Sequence, residues 1–384
     1  MLDTARLICF GARFAARYLP PTLSFRNYKL VFRWADVADV LARDGDFRIA
    51  PINAKRIEGV AGPFILGMDR SDALFKQRVD VYDAMNGADF TPLRQILATE
   101  PNELLAAAAA RDGQIDVVNG YARIVAGHVA AALFGIKGSS EADLLRVARA
   151  VFHETFLNLG NDEKIRTIGI AAGQELKAWI VAERARRLDA GVLGHDVLGC
   201  LLERERAGAL SADEVAYVLA GLLVGSIDTT ATAVSNIVVE ILSDWALAEN
   251  IRRDLNDRRR LYGWCWEALR RRPHNPVLLR EAVEGATIGG EAVPVGTRVV
   301  AFTLAAMQDA RVFDRPERLD PDRPPHLYMH FGRGMHECTG RDVNALQIPA
   351  LIAALMRFNP SGRVKVKNAG PFPDQFFVRI ARPQ

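Results

Sequence analysis

The chain has 384 residues, 49% of them hydrophobic and 25% charged, which describes a globular protein with material for a large core. A net charge of +3 gives no reason to expect nucleic acid as a partner and leaves only local basic faces to consider. Cys9, Cys200, Cys265 and Cys338 are dispersed and never in C-x-x-C spacing, which argues against a disulfide framework or a cysteine-rich zinc site and for a reduced, cytoplasmic chain.

The apolar run Leu7-Ile8-Cys9-Phe10 is broken by Arg6, Arg13 and Arg17, too short to span a bilayer and without a signal-peptide core. It reads as an ordinary N-terminal helix ending at Pro20-Pro21, with an amphipathic contact to a membrane surface as the alternative. Residues 24–33 alternate like a strand, and residues 35–43 form a short helix closed by Gly45. From Phe47 to Gly67 the apolar residues have no clear period, and a long irregular loop is expected.

From Asp69 to about residue 275 the pattern is helical. Segments are expected at 71–86, 91–111, 114–135, 140–159, 164–190 and 195–207, separated by glycine-bearing breaks. Ser211 and Glu214 make a capping box that opens a long helix running to about Ser243. Helices near 246–257 and 260–272 follow. After Pro273 come short strands at 277–283, 286–288, 292–295 and 298–302, then a polar, proline-rich meander from Asp309 to Pro325. A helix at 340–357 and a closing hairpin from Val364 to Ile380 complete the chain. With no internal repeat and no linker, residues 1–384 read as a single domain, mainly α with small β-sheets.

Four constellations carry chemistry. The most concentrated is Phe331-Gly332-Arg333-Gly334-Met335-His336-Glu337-Cys338-Thr339-Gly340. Its glycines permit close backbone approach, and a helix begins directly after the cysteine. The unpaired N–H groups and positive end of that helix favour a thiolate. A thiolate held under a flat cofactor by such a loop suits cysteine-ligated haem. Zinc is the alternative, using His326, His330, His336 and Cys338, although their spacing matches no standard zinc pattern.

The second constellation lies within the long helix, where Gly225-Ser226-Ile227-Asp228-Thr229-Thr230 interrupts an apolar run. Gly225 and Ser226 weaken the helix, and buried Asp and Thr groups need partners or a task. Taken alone, the segment is a polar stripe on a helix edge. Third, Glu267 and Arg270 share one helix face three residues apart. Fourth, Phe313-Asp314-Arg315-Pro316-Glu317-Arg318-Leu319 supplies a further arginine in the meander.

These four segments, in this order, resemble the signatures of the cytochromes P-450. Phe331, Gly334, Cys338 and Gly340 match F-x-x-G-x-x-x-C-x-G; Asp228 and Thr229 match the acid–alcohol pair of the distal helix; Glu267 and Arg270 match E-x-x-R. The resemblance covers essentially residues 20–384 and implies a helical prism enclosing a thiolate-ligated haem b. Cys338 would be the iron ligand, Phe331 would pack near the sulfur, and Gly334 and Gly340 would allow close approach. Asp228 and Thr229 would deliver protons, with Thr230 as the fallback alcohol and Ser226 standing where the family often has glycine. Glu267, Arg270 and Arg318 would form a buried network behind the haem loop. His336, Arg280 and Arg78 are candidates for the haem propionates, with Lys76 rivalling Arg78.

Phe64, Ile65, Leu222, Gly225, Val277 and Leu278 are the expected pocket lining, equally readable as plain core. They suggest a small hydrophobic substrate. The resemblance implies a soluble, bacterial-type monooxygenase that uses O₂ and electrons from a ferredoxin or similar carrier and its reductase, with no integral membrane segment. The arginines between Arg252 and Arg272, with Arg333 and Arg341, suggest a basic face for that carrier. The alternatives are a peroxide- or hydroperoxide-using enzyme of the same fold and a haem protein that senses a ligand without turnover.

Overall fold

The computed structural model describes residues 4–381, with side chains from Gly11 onward. The run Leu7 to Phe10 and the thiol of Cys9 therefore lie outside the described side chains, whereas Cys200, Cys265 and Cys338 are free thiols. Fifteen α-helices are described: α1 Thr4–Tyr18, α2 Trp34–Ala42, α3 Ala50–Ala61, α4 Asp72–Gly87, α5 Thr91–Arg111, α6 Arg123–Phe134, α7 Glu141–Phe152, α8 Glu163–Ala190, α9 Val197–Arg206, α10 Ala212–Val224, α11 Ile227–Ser243, α12 Trp245–Arg253, α13 Arg258–Arg271, α14 Thr303–Ala306 and α15 Arg341–Arg357. The strands are β1 Thr22–Phe25, β2 Tyr28–Val31, β3 Phe47–Arg48, β4 Gln114–Asp116, β5 Leu278–Ala282, β6 Thr287–Ile288, β7 Glu291–Ala292, β8 Arg298–Ala301, β9 Val366–Ala369 and β10 Phe372–Arg379.

The fold is thus mostly helical with small sheets, as expected. One sheet runs β1-β2-β8-β5-β3, a second β4-β10-β9, and β6 pairs with β7. Among the described strands only β2 and β8 are parallel, joined in the register Tyr28↔Arg298 to Val31↔Ala301. One contiguous apolar core runs from Val31 to Ile380, and α10 and α11 pass through it almost wholly buried. Among the described residues the stretch Ala212–Ser243 alone is long and apolar enough to cross a bilayer, and 83% of its most apolar window is buried inside the protein.

Three expectations are corrected. The strand at 24–33 is two strands, folded into a hairpin by Arg26 at φ 51° and Asn27. The segment at 114–135 opens with β4, which pairs with β10, and turns through a π-helical stretch at Val118–Ala122 before α6. The expected loop from Phe47 to Gly67 contains α3 and a tight helical turn at Ile65–Gly67. Pro51 suits the first turn of α3. Its N-terminus is capped from a distance: Asp69 Oδ1 accepts from the N–H groups of Ile49 and Ala50, both at 2.8 Å. No short-range signal announces a cap placed twenty residues downstream.

Gly173 lets α8 approach α3 so closely that a Cβ there would stand 2.2 Å from the Val60 carbonyl oxygen. The long helix is divided at Gly225 and Ser226 into α10 and α11. The capping box opens it as expected, Ser211 and Glu214 each accepting the other's backbone N–H.

Candidate functional site

Cys338 closes a tight loop. Its N–H donates to the Phe331 carbonyl at 2.8 Å, and the Gly340 N–H donates to its Sγ at 3.3 Å. The residue is accessible, yet protein surrounds the sulfur closely enough that burial pushes the thiol above its ordinary value. The Gly340 amide and Arg341 oppose that rise without overcoming it. Against the expected preference for thiolate, burial thus outweighs the helix-end amide in the loop itself, and a cation bound at the sulfur would favour the anion. Accessibility combined with desolvation means that Cys338 lines an interior space.

Gly334 sits at φ 72°, and a Cβ there would lie 2.6 Å from the Leu41 carbonyl oxygen. Its freedom serves the packing of the loop on α2. A Cβ on Gly340 would meet only ordinary contacts, 3.4 Å from Asn344 Nδ2 and 3.6 Å from the Cys338 sulfur. Phe331 packs against Trp266 at 5.8 Å and under Arg341 at 5.9 Å between ring or guanidinium centres.

The three basic candidates converge on this loop. Arg280 on β5 is buried, forms no ion pair among the described residues, and donates to the Leu279 carbonyl at 2.8 Å. Burial pulls it down to about 10, with Asp69 and Asp44 opposing. His336 lies close enough to Arg280 and Arg78 to feel both charges; burial first, then those two cations, push it down to about 3. Its Nδ1 stands 3.1 Å from the Ile65 carbonyl, so the neutral ring donates there and keeps Nε2 as an acceptor. It would donate to a carboxylate through Nε2 only on gaining a proton, which an adjacent anion favours.

Arg78 reaches from α4 to donate to the Met335 carbonyl, and its other arm donates to the Tyr82 hydroxyl at 3.2 Å. Lys76 points elsewhere, pairing with Asp80 and Glu214 at 3.2 and 2.8 Å. A buried arginine without a counter-ion, beside a neutral histidine and a second arginine, is the donor set that a carboxylate-bearing group requires. Together with an accessible interior cysteine, these residues fit a thiolate-ligated haem. Among the described residues no His, Cys, Asp and Glu cluster suits a metal ion, and His330 is buried behind the loop, its Nε2–H donating to the Trp266 carbonyl at 3.0 Å.

The break in the long helix is held by hydroxyls. Thr229 donates to the Gly225 carbonyl, Thr230 to that of Ser226 at 2.7 Å, and Ser226 to that of Leu223 at 3.0 Å. These bonds satisfy carbonyls that the interrupted ladder releases. Gly225 is exposed and Thr229 half-exposed, whereas Thr230 is buried against Asn344 and Gln347 of α15. Asp228 faces the other way. Its Oδ1 lies 2.9 Å from Arg123 Nε and 2.7 Å from Arg149 Nε, while its buried Oδ2 has no partner among the described residues. No hydrogen bond joins Asp228 to Thr229. The clamping arginines were not legible in the sequence, since each lies far from Asp228 along the chain on another helix.

Behind the loop, Glu267 and Arg270 are fully buried and paired through two bonds of 2.8 and 2.9 Å. The second guanidinium is Arg323, at 3.4 Å from Glu267 Oε2, and the Tyr328 hydroxyl donates to Oε1 at 2.9 Å. This corrects the assignment of Arg318, whose side chain is exposed and whose carbonyl alone joins the network, accepting from Arg270 at 2.9 Å. The meander holds several arginines, and only its folded path decides which one turns inward.

Of the expected pocket residues, Phe64 and Ile65 are buried beside α10, with Phe64 lying flat on Gly221. Leu222 is buried, Gly225 exposed, and Val277 and Leu278 half-buried, with Leu278 next to Gly332 of the cysteine loop. The arginine cluster is largely neutralised in place. Arg252, Arg253, Arg259, Arg260 and Arg271 pair with Glu249, Asp254, Asp322, Asp254 and Asp244. Arg333 is spent on the His326 carbonyl and the Trp34 ring.

A mostly helical body with a cysteine loop, a hydroxyl-held break in the long helix and a basic cradle defines the cysteine-ligated haem proteins as the class. The family model for Cytochrome P450 matches residues 157–361, more than half of the chain. The chain belongs to the cytochrome P450 family.

It is 26% identical over 350 residues to mycinamicin IV hydroxylase/epoxidase of Micromonospora griseorubida, covering 88% of this chain and 83% of that enzyme. It is 31% identical over 169 residues to the cytochrome P-450 monooxygenase DoxA of Streptomyces sp. (strain C5), covering 43% of this chain and only 39% of that enzyme. Among solved structures it superposes on CalO2 with a TM-score of 0.84 at 24% identity, covering 100% of this chain and 98% of that one. The testosterone complex of CYP109E1 from Bacillus megaterium gives 0.80 at 22% identity, covering 97% and 99%. By family the chain is an oxidoreductase of the monooxygenase class with a cysteine-ligated haem.

Proposed function

We propose that residues 1–384 form a single haem-thiolate monooxygenase domain that inserts one oxygen atom from O₂ into a small hydrophobic organic substrate. Electrons come from a separate ferredoxin-type carrier and its reductase, and the enzyme works in the cytoplasm. The observation that carries this reading is the meeting of an accessible interior cysteine with the buried Arg280, which has no ion pair among the described residues, and with the half-buried His336 and Arg78. Cys338 would hold the iron of haem b, and the three basic residues would hold its carboxylates. Haem so bound supplies dioxygen binding and activation, with the thiolate favouring O–O cleavage.

The remaining work falls to the chain's own groups. Thr229 keeps its hydroxyl bonded to the Gly225 carbonyl, and this hydroxyl with its opened helical turn would face the oxygen-binding side of a bound haem. Asp228 would take up and hand on a proton through Oδ2, the oxygen that the two arginines leave free. Phe64, Ile65 and Leu222 exclude water and favour an apolar substrate.

The reduced carbon-monoxide difference spectrum of the reconstituted protein tests the ligation. A thiolate-type Soret band is expected, and its absence, or its survival in Cys338→Ala, overturns the assignment. Product formed with NADPH, reductase and ferredoxin, and not with hydrogen peroxide alone, supports use of O₂. Turnover with peroxide only would make the chain a peroxide-using relative, and binding without any product would make it a sensor.

A further inference from the structure

Residues 4–35 carry a charge pattern unlike that of the whole chain, and residues 11–35 an unusual surface. Between Thr4 and Ala35 stand Arg6, Arg13, Arg17, Arg26, Lys29 and Arg33, with no Asp or Glu at all, although the whole chain has 49 basic and 46 acidic residues. Within this segment the described part of α1, from Gly11 to Tyr18, is packed inside out. Its inward face is small: Ala16 is buried with Phe32 and Ala305, flanked by Ala12, Ala15 and Leu19. Its outward face carries the large rings, Phe14 at 48% and Tyr18 at 63% exposure. Folding driven by apolar burial alone places aromatics inward and alanines outward.

The adjoining hairpin repeats the pattern. Phe25 and Tyr28 face each other in the register at its tip, exposed at 62% and 46%, with Arg26 and Asn27 forming the turn between them. The helix and the hairpin share one small core: Leu19 at the end of α1 and Leu23 and Leu30 of the hairpin all pack against the cluster of Ala16, Phe32 and Ala305. Arg17 lies over the Tyr18 ring at 5.3 Å and Arg26 over the Phe25 ring at 5.4 Å. Neither arginine makes an ion pair among the described residues. The nearby carboxylate, Glu291, is engaged by Lys29 at 2.8 Å and by the Thr22 hydroxyl.

We propose that α1 and the β1–β2 hairpin tip form a face that docks peripherally on an anionic lipid bilayer. Amphipathic rings stacked under guanidinium groups suit the depth of the lipid headgroups, where one end of a side chain is apolar and the other wet. The unbalanced positive charge complements anionic headgroups. No part of the chain need cross the membrane. The face would hold the enzyme where apolar compounds partition, an advantage that rests on the proposed hydrophobic substrate, while the docking itself does not.

The test is flotation of the haem-loaded protein with vesicles of phosphatidylcholine containing about one third phosphatidylglycerol, against vesicles of phosphatidylcholine alone, at moderate salt. Binding is expected to the anionic vesicles and to weaken as salt is raised. Arg17→Gln with Arg26→Gln should lower partitioning roughly 30-fold, at about one power of ten for every one to two basic residues removed. Tyr18→Ser with Phe25→Ser should lower it by about tenfold or more. All four positions are exposed, so the haem spectrum and melting temperature should stay as in the parent protein. Failure of the parent to bind either vesicle, or binding indifferent to both double variants, overturns the proposal. Loss with the arginine variant and none with the aromatic variant also overturns it, since charge alone, without insertion of the rings, would then account for the binding.

Discussion

Replacing Glu267 by glutamine removes the one anion from a buried site that holds two cations. Oε1 accepts from Arg270 Nε at 2.8 Å and from the Tyr328 hydroxyl at 2.9 Å. Oε2 accepts from Arg270 Nη2 at 2.9 Å, the Asp320 N–H at 3.0 Å and Arg323 Nε at 3.4 Å. Every partner is a donor, so an amide nitrogen in place of either oxygen meets a donor. Arg270 is fully buried and the Arg323 side chain only 8% exposed, and neither can recover hydration without opening the fold.

Breaking such a pair from one side costs about 3–5 kcal/mol, against a total stability of about 5–15 kcal/mol for a folded domain. Equilibrium urea unfolding of the haem-loaded protein measures the loss. Arg323→Gln should cost about 1.5–3 kcal/mol, the range for a hydrogen bond to a charged group. Arg318→Gln keeps the carbonyl that Arg270 uses and should stay within about 0.5 kcal/mol of the parent. An effect of Arg318→Gln equal to that of Arg323→Gln would refute the assignment of the inward arginine. A Glu267→Gln protein within about 1 kcal/mol of the parent would refute the reasoning on burial.

Three further outcomes are expected. Arg280→Gln should speed transfer of haem to apomyoglobin by roughly 10- to 100-fold, because a charged donor to a haem carboxylate is lost; unchanged transfer would remove Arg280 from the cradle. Gly221→Ala places a Cβ 2.2 Å from Phe64 Cγ and should cost about 1–3 kcal/mol, largely recovered in the double variant with Phe64→Ala; simple additivity would contradict the contact. His128 bridges Glu100 and Glu141 at 2.5 and 2.6 Å. Burial lowers its pKa, but hydrogen bonds to both carboxylates and their charges outweigh that and leave it raised above 6.5. A raised pKa means that the folded state prefers the protonated ring. The stabilisation is therefore complete below pH about 6.5 and fades as pH rises through the folded value. The urea midpoints of the parent and His128→Gln should converge at high pH, and a gap that widens instead would reverse the sign.

What the sequence determined by itself was local. Glycine, Ser226 and two threonines in an apolar run mark a weakened helix, because helix propensity and hydroxyl back-bonding act within one turn. Glu267 and Arg270 meet because residues three apart share a helix face, and the Ser211–Glu214 box closes within the same span. The cysteine loop announces itself through its glycines and the helix that follows.

Tertiary structure decided every pairing that spans the chain. It chose Arg323 over Arg318 as the second cation on Glu267, and sent Lys76 to Glu214 while Arg78 reached the loop. It turned Asp228 onto Arg123 and Arg149, and capped α3 with Asp69. It also left the Cys338 thiol raised where the helix end alone would have lowered it. Side-chain charge carries no address: which anion meets which cation, and how dry the meeting place is, depends on where distant helices pack.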